Sequence, residues 1–116
     1  MTSEAEVEQF LKDFHQKLRV FEIIFRDERG KNKKTLIDLE ITSAERKKII
    51  EKLTLKDYSY GPLEDKLYKI GSLWVFGLEV KKEEIYIKVS IGEPNLGVIC
   101  ISFHTSERPL TYPFKK

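Results

Sequence analysis

Two short segments near the end of the chain hold side chains capable of acid–base and phosphate chemistry in alternating positions. Ile85-Tyr86-Ile87-Lys88-Val89-Ser90-Ile91 alternates apolar with polar, and Ile99-Cys100-Ile101-Ser102-Phe103-His104 does the same. Successive side chains of a β-strand point to opposite faces. Ile85, Ile87, Val89 and Ile91 are therefore expected to share a buried face with Ile99, Ile101 and Phe103. Tyr86, Lys88 and Ser90 are expected on the reverse face, with Cys100, Ser102 and His104. A phenol, an ammonium and an imidazole on one rigid sheet are what binding and cleaving a phosphodiester requires.

Cleavage through a neighbouring hydroxyl needs a base for that hydroxyl, a cation for the charge gathering on phosphorus, and an acid for the leaving oxygen. His104 is the best candidate for acid or base, because histidine exchanges protons near neutral pH. Lys88 is the candidate cation, in the electrostatic role that often contributes most to catalysis. Tyr86 and Tyr60 can donate a proton or stack on a base. Each also has a plainer reading: a strand-end histidine as a capping group, a lysine on a wet strand face for solubility, a tyrosine as packing.

The elements that must position these groups are readable in outline. Ser3 followed by Glu6 is a capping-box pattern. Val7, Phe10, Leu11, Phe14 and Leu18 then recur at helical spacing, predicting a helix over 4–18. Residues 20–25 read as a strand rich in aromatic and β-branched side chains. Residues 27–34 read as a polar loop, and 35–39 as either a helical turn or a strand. Thr42 or Ser43 caps another helix, with Ile49, Ile50 and Leu53 on its buried side. Gly61-Pro62 interrupts 55–70, which reads as loop with a short strand or two. Segments 73–80, 84–91 and 98–104 form an antiparallel meander, and Pro109 and Pro113 keep the tail out of a central strand. The expected class is α+β, a single domain over 1–116, with an antiparallel sheet, or one mixed at its edge, packed against N-terminal helices.

Pairing residues that sum to 190 keeps each face of the last hairpin consistent and sets Lys88 opposite Ser102 and Tyr86 opposite His104. A sum of 165 in the preceding hairpin sets Glu79 opposite Tyr86 and Gly77 opposite Lys88, leaving room there for a ligand backbone. The expected patch is Glu79, Tyr86, Lys88, Ser102 and His104, with Ser102 and Glu79 contacting substrate.

The same segments carry a family resemblance. Leu53-Thr54-Leu55-Lys56-Asp57-Tyr58, then Trp74 ahead of Ile85-Tyr86-Ile87-Lys88-Val89, then Val98-Ile99-Cys100-Ile101-Ser102-Phe103-His104 resemble the type II toxin–antitoxin ribonucleases of the RelE superfamily, most closely the MqsR branch. The resemblance implies a RelE/MqsR-like sheet on N-terminal helices, metal-independent cleavage of messenger RNA that halts translation and growth, and a cognate antitoxin. The ribosome is a further candidate partner. His104 stands where the MqsR branch has a lysine, although the YafQ branch has a histidine in its last strand. A family lysine falls near Tyr60, and a family tyrosine near Leu78.

Composition limits the alternatives. The 116 residues are 41% hydrophobic, enough for one core. Net charge is only +2, so any anion site must come from local clustering. Arg46, Lys47, Lys48 and Lys52 on one helix are a candidate phosphate track, with Arg46 and Lys48 contacting substrate. Glu45 and Glu51 in the same run equally suit a solvated helix face. The lysines at 31, 33 and 34 read as a solvated turn. One cysteine, Cys100, and two histidines, His15 and His104, give no metal-ligand spacing and no expected cofactor. No apolar run approaches the roughly 18 residues of a membrane span, the N-terminus lacks a signal-peptide layout, and the cytoplasm is the expected location. The rival expectation is a non-catalytic module that uses the polar sheet face to hold RNA or a protein.

Overall fold

The computed structural model describes residues 2–28, 30–66 and 71–115. The stretch 67–70 of the expected 55–70 loop, and position 29 of the expected 27–34 loop, lie outside the described residues. Helix α1 spans Glu4–Val20. Its box is formed: the Ser3 hydroxyl accepts from Glu6 N at 3.2 Å and Glu6 Oε1 accepts from Ser3 N at 3.2 Å. Val7, Phe10, Leu11, Phe14 and Leu18 are its buried stripe, as their spacing required. Phe10 stacks on Trp74 with ring centroids 4.5 Å apart, which seats the helix on the sheet.

The helix runs through Val20, and strand β1 is only Ile24–Phe25, shorter than the expected 20–25. This part pairs with β5 and the residue before it: Ile24 N donates to Val98 O and Arg26 N to Cys100 O, both at 2.9 Å, whereas Phe21 N closes α1 on Lys17 O. Helix α2, Lys31–Asp38, replaces the second half of the loop expected at 27–34. Its buried residues are Asn32 and Thr35, so it has no apolar stripe to reveal it. Helix α3, Ser43–Glu51, is capped by Thr42 in a second box with Glu45. A 3₁₀ turn at Leu55–Asp57 leads into β2 (Tyr58–Glu64), followed by β3 (Ser72–Val80), β4 (Glu83–Ser90) and β5 (Ile99–Thr105).

The five strands lie in the order β1-β5-β4-β3-β2. β1 is parallel to β5 and the other pairs are antiparallel, so the fold is α+β with a mixed sheet. The core lies on one face, where Ile85, Ile87, Val89 and Phe103 meet Phe10, Phe14 and Ile50.

Register differs from expectation in two places. β3 and β4 are joined by the two-residue turn Lys81-Lys82, both at positive φ, so pairs sum to 163: Phe76 faces Ile87, Gly77 faces Tyr86 and Glu79 faces Glu84. A two-residue slip preserves the faces, but it moves Glu79 away from Tyr86 and Gly77 away from Lys88. In the β4–β5 pair the sum of 190 holds from Ile85–Thr105 to Lys88–Ser102; then Val89 faces Cys100 rather than Ile101. Ile101 is the extra residue of a β-bulge, which switches the faces of all that precedes it. Cys100 accordingly enters the core with Val98 instead of joining the polar face, and Ile101 joins the polar side.

Helix α2 pins this bulge. Asn32 Nδ2 donates to Ile101 O at 3.0 Å, Asn32 Oδ1 accepts from Phe103 N at 2.9 Å, and Thr35 Oγ1 accepts from Thr105 N at 3.1 Å. Two side chains thus satisfy the part of the β5 edge that β1 is too short to cover.

The tail crosses the reverse face of the sheet, and Phe114 stacks on Tyr58 at 5.5 Å.

Candidate active site

On the face opposite the core, β4, β5, the end of β2, the start of α2 and the tail enclose a cavity of about 770 Å³. Tyr60, Tyr86, Lys88, Ser102 and His104 all line it. Parity and register put them there: Tyr86 faces His104, and Lys88 faces Ser102. The His104 and Tyr86 rings stack at 5.3 Å with 15° between their planes. Tyr86 Oη and Tyr60 Oη are 2.9 Å apart, and Lys88 Nζ lies 5.6 Å from the Tyr86 ring centroid.

These contacts fix proton positions. His104 Nδ1 is 2.9 Å from Thr105 O, and a carbonyl only accepts, so Nδ1 carries the proton of that bond. The neutral ring then has its lone pair on Nε2. Burial, helped by the bond to Tyr60, pushes the Tyr86 phenol well above the usual tyrosine range. Tyr86 therefore keeps its proton near neutral pH. A base and a protonated donor stand side by side.

The cavity wall contains Arg26, Lys31, Lys66, Lys88 and Arg108, against Glu64, Asp65 and Glu107. Lys31 pairs with Glu107, and this pair holds the Glu107 carboxyl below its usual range. The balance favours an anionic ligand. Of these residues only Lys88 was expected in the site. The sequence pattern assigns Lys31 to a solvated turn, whereas it opens α2, and Glu107 and Arg108 sit in the tail. The alternation of Leu110, Tyr112 and Phe114 was the available signal that the tail folds back.

Three expected site residues are elsewhere. Glu79 is exposed on the rim of a second cavity, beside Lys82 and Tyr112, because of the shifted hairpin register. Arg46 is 4% exposed, not on a wet helix face. It forms a two-point pair with Asp27 at 3.0 and 3.1 Å, and its guanidinium lies 3.5 Å from the Phe25 ring centroid. Lys48 is exposed on α3 and does not line the cavity. The space beside Gly77 is filled by the tail, not open to a ligand.

Cys100 is buried, and burial pushes its thiol up to about 12, which leaves it unreactive. Among the described residues no group of three His, Cys, Asp or Glu side chains is arranged to hold a metal ion, and no helix is long and apolar enough to cross a membrane. Comparison with protein-family models, with curated proteins and with solved structures gives no match.

Proposed function

We propose that this chain is an endoribonuclease that cuts messenger RNA by side-chain acid–base chemistry, as the toxin of a toxin–antitoxin pair acting in the cytoplasm. The observation that carries the reading is the stack of His104 on Tyr86, with Tyr60 on the phenol oxygen and Lys88 beside the same ring. His104 Nε2 removes the 2′-hydroxyl proton of a bound ribonucleotide. The 2′-oxygen attacks phosphorus, and Lys88 stabilises the charge on the non-bridging oxygens. The Tyr86–Tyr60 hydroxyl pair supplies the proton to the departing 5′-oxygen. The products are a 2′,3′-cyclic phosphate and a 5′-hydroxyl. Every proton and charge in this sequence is handled by a residue lining the cavity, so the reaction needs no metal. The choice of messenger RNA as substrate and of an antitoxin as partner rests on the family resemblance.

The test is incubation of the purified protein with a defined single-stranded RNA in excess chelator, followed by analysis of the ends. Cyclic phosphate and 5′-hydroxyl ends are expected. His104→Ala should lower kcat by about 10²–10⁴-fold, the usual contribution of a positioned acid or base. Lys88→Ala should lower it by about 10²–10³-fold, as when one charge-stabilising donor is removed. Variants that cut like the parent would overturn the site. RNA that is bound in a salt-dependent way but never cut would convert the reading to a non-catalytic binding module.

A further inference from the structure

The segment after β5 is held by one carboxylate. Ser106 N donates to Glu84 O at 2.9 Å, continuing the ladder past the strand. Glu84 Oε1 then accepts from Ser106 Oγ at 2.7 Å and from Leu110 N at 3.0 Å, and its Oε2 accepts from Tyr112 Oη at 2.7 Å. Gly77, opposite Tyr86, makes room for this strap. A Cβ at that position would collide with Leu110 Cδ1 and lie 2.7 Å from Tyr112 Oη. Between the anchored residues Ser106 and Leu110 the chain bows over the cavity, and Glu107, Arg108 and Pro109 line it there. Glu107 is engaged by Lys31, which ties the bow to the start of α2.

Lys88 rises from the sheet that floors the cavity, and Arg108 comes from the strap that walls it. A sugar-phosphate chain passing between floor and wall meets a cation on each side. We infer that Arg108 is a second phosphate-binding residue of this site and that Glu84 is the positioning residue that holds it there through the strap. The inference rests on the nuclease reading and adds to it a residue pair outside the catalytic stack. Glu84 itself contacts neither substrate nor reacting atoms.

The experiment measures binding of a fluorescent single-stranded RNA with 2′-O-methyl ribose at each position, so that it cannot be cut, across a range of salt concentrations. Each phosphate contact on a single strand contributes about 0.7 to the slope of log K against log salt. Arg108→Ala should weaken binding and lower the slope by about that amount. Glu84→Ala should do the same, although it removes a negative charge and a charge effect alone would tighten RNA. The double variant should bind no worse than Arg108→Ala, because both changes remove one contact. Glu84→Gln keeps an acceptor for Ser106 and Leu110 and should bind closer to the parent. Tyr112→Phe, which removes one strap bond, gives a milder loss and serves if Glu84→Ala does not fold.

Tight binding with an undiminished slope in Glu84→Ala, or losses that add in the double variant, would overturn the inference. If the parent binds and cuts RNA while Arg108→Ala and Glu84→Ala both match it, both inferred roles fail and the nuclease reading stands; if only Glu84→Ala matches it, the positioning role alone fails. If the parent neither binds nor cuts, the nuclease reading fails and this role fails with it.

Discussion

Removing the Arg46 guanidinium would leave Asp27 as a partly buried carboxylate with Asn32 as its remaining side-chain partner. Although burial opposes ionisation of Asp27, the bonds from Arg46 and Asn32 hold its carboxyl below the usual range. Breaking a buried pair from one side typically costs about 3–5 kcal/mol, and the partial exposure of Asp27 puts Arg46→Ala at the lower end. Urea denaturation should show a loss of about 3 kcal/mol, while the salt slope of RNA binding stays at the parental value. A lowered slope would return Arg46 to the phosphate-contacting role that its place in a basic helical run suggested. Residue type and spacing could not reveal its burial, because Asp27 and Phe25 come from a different segment. Tyr86, Lys88 and His104 were legible for the opposite reason: alternation within two adjacent strands is a local property, and it survived folding.

At the level of elements, alternation determines which face a residue takes but not which residue lies opposite. The β3–β4 hairpin could slip by two residues without burying a charge, and Lys81-Lys82 carries none of the Asn or Gly that marks a tight two-residue turn. Glu79 was misplaced for that reason alone. The bulge at Ile101 was equally invisible, since its determinant is the amide of Asn32 on a helix with a polar buried face. The turn itself is open to test. Lys82 at φ 71° and Lys81 at φ 51° both occupy the left-handed region, which is unfavourable by about 1–2 kcal/mol for a residue with a Cβ. Lys82→Gly should raise the thermal midpoint by relieving that strain. Lys81→Gly should not, because Lys81 Nζ also donates to Leu39 O at 2.8 Å and Glu40 O at 3.0 Å, just past the end of α2. Equal gains from both changes would mean that the lysine tether contributes nothing.

Across the whole molecule, three polar groups brace layers that apolar contacts hold together, and each makes stability depend on pH. His15 lies between α1 and α3; burial lowers its pKa from the ordinary 6.5, although a bond to the Ile50 backbone opposes the shift. Its Nε2 is buried without a partner among the described residues, so a proton there meets no acceptor from them. The unfolded chain takes up that proton first. Stability is therefore full above pH 6.5 and falls as pH drops through the interval below it. Glu84 and Asp27 act lower on the scale. Burial opposes ionisation of Glu84, yet the bonds from Tyr112, Ser106 and Leu110 bring its pKa below the ordinary 4.5. Asp27 lies below the ordinary 3.8. Their contributions are full above those values and vanish as pH falls through the lower folded ones. Unfolding free energy measured by urea titration should thus decline in two stages, one starting below pH 6.5 and one below 4.5. One proton limits the upper stage to about 1.4 kcal/mol per pH unit, and the two carboxylates of the lower stage limit it to about twice that. His15→Asn, whose amide can replace Nδ1 but cannot titrate, should abolish the upper stage and leave the lower one. Glu84→Ala should shrink only the lower stage. A parent whose stability is level between pH 7 and 5 would mean that His15 is as readily protonated in the fold as in the open chain, and that the α1–α3 contact does not depend on its neutral form.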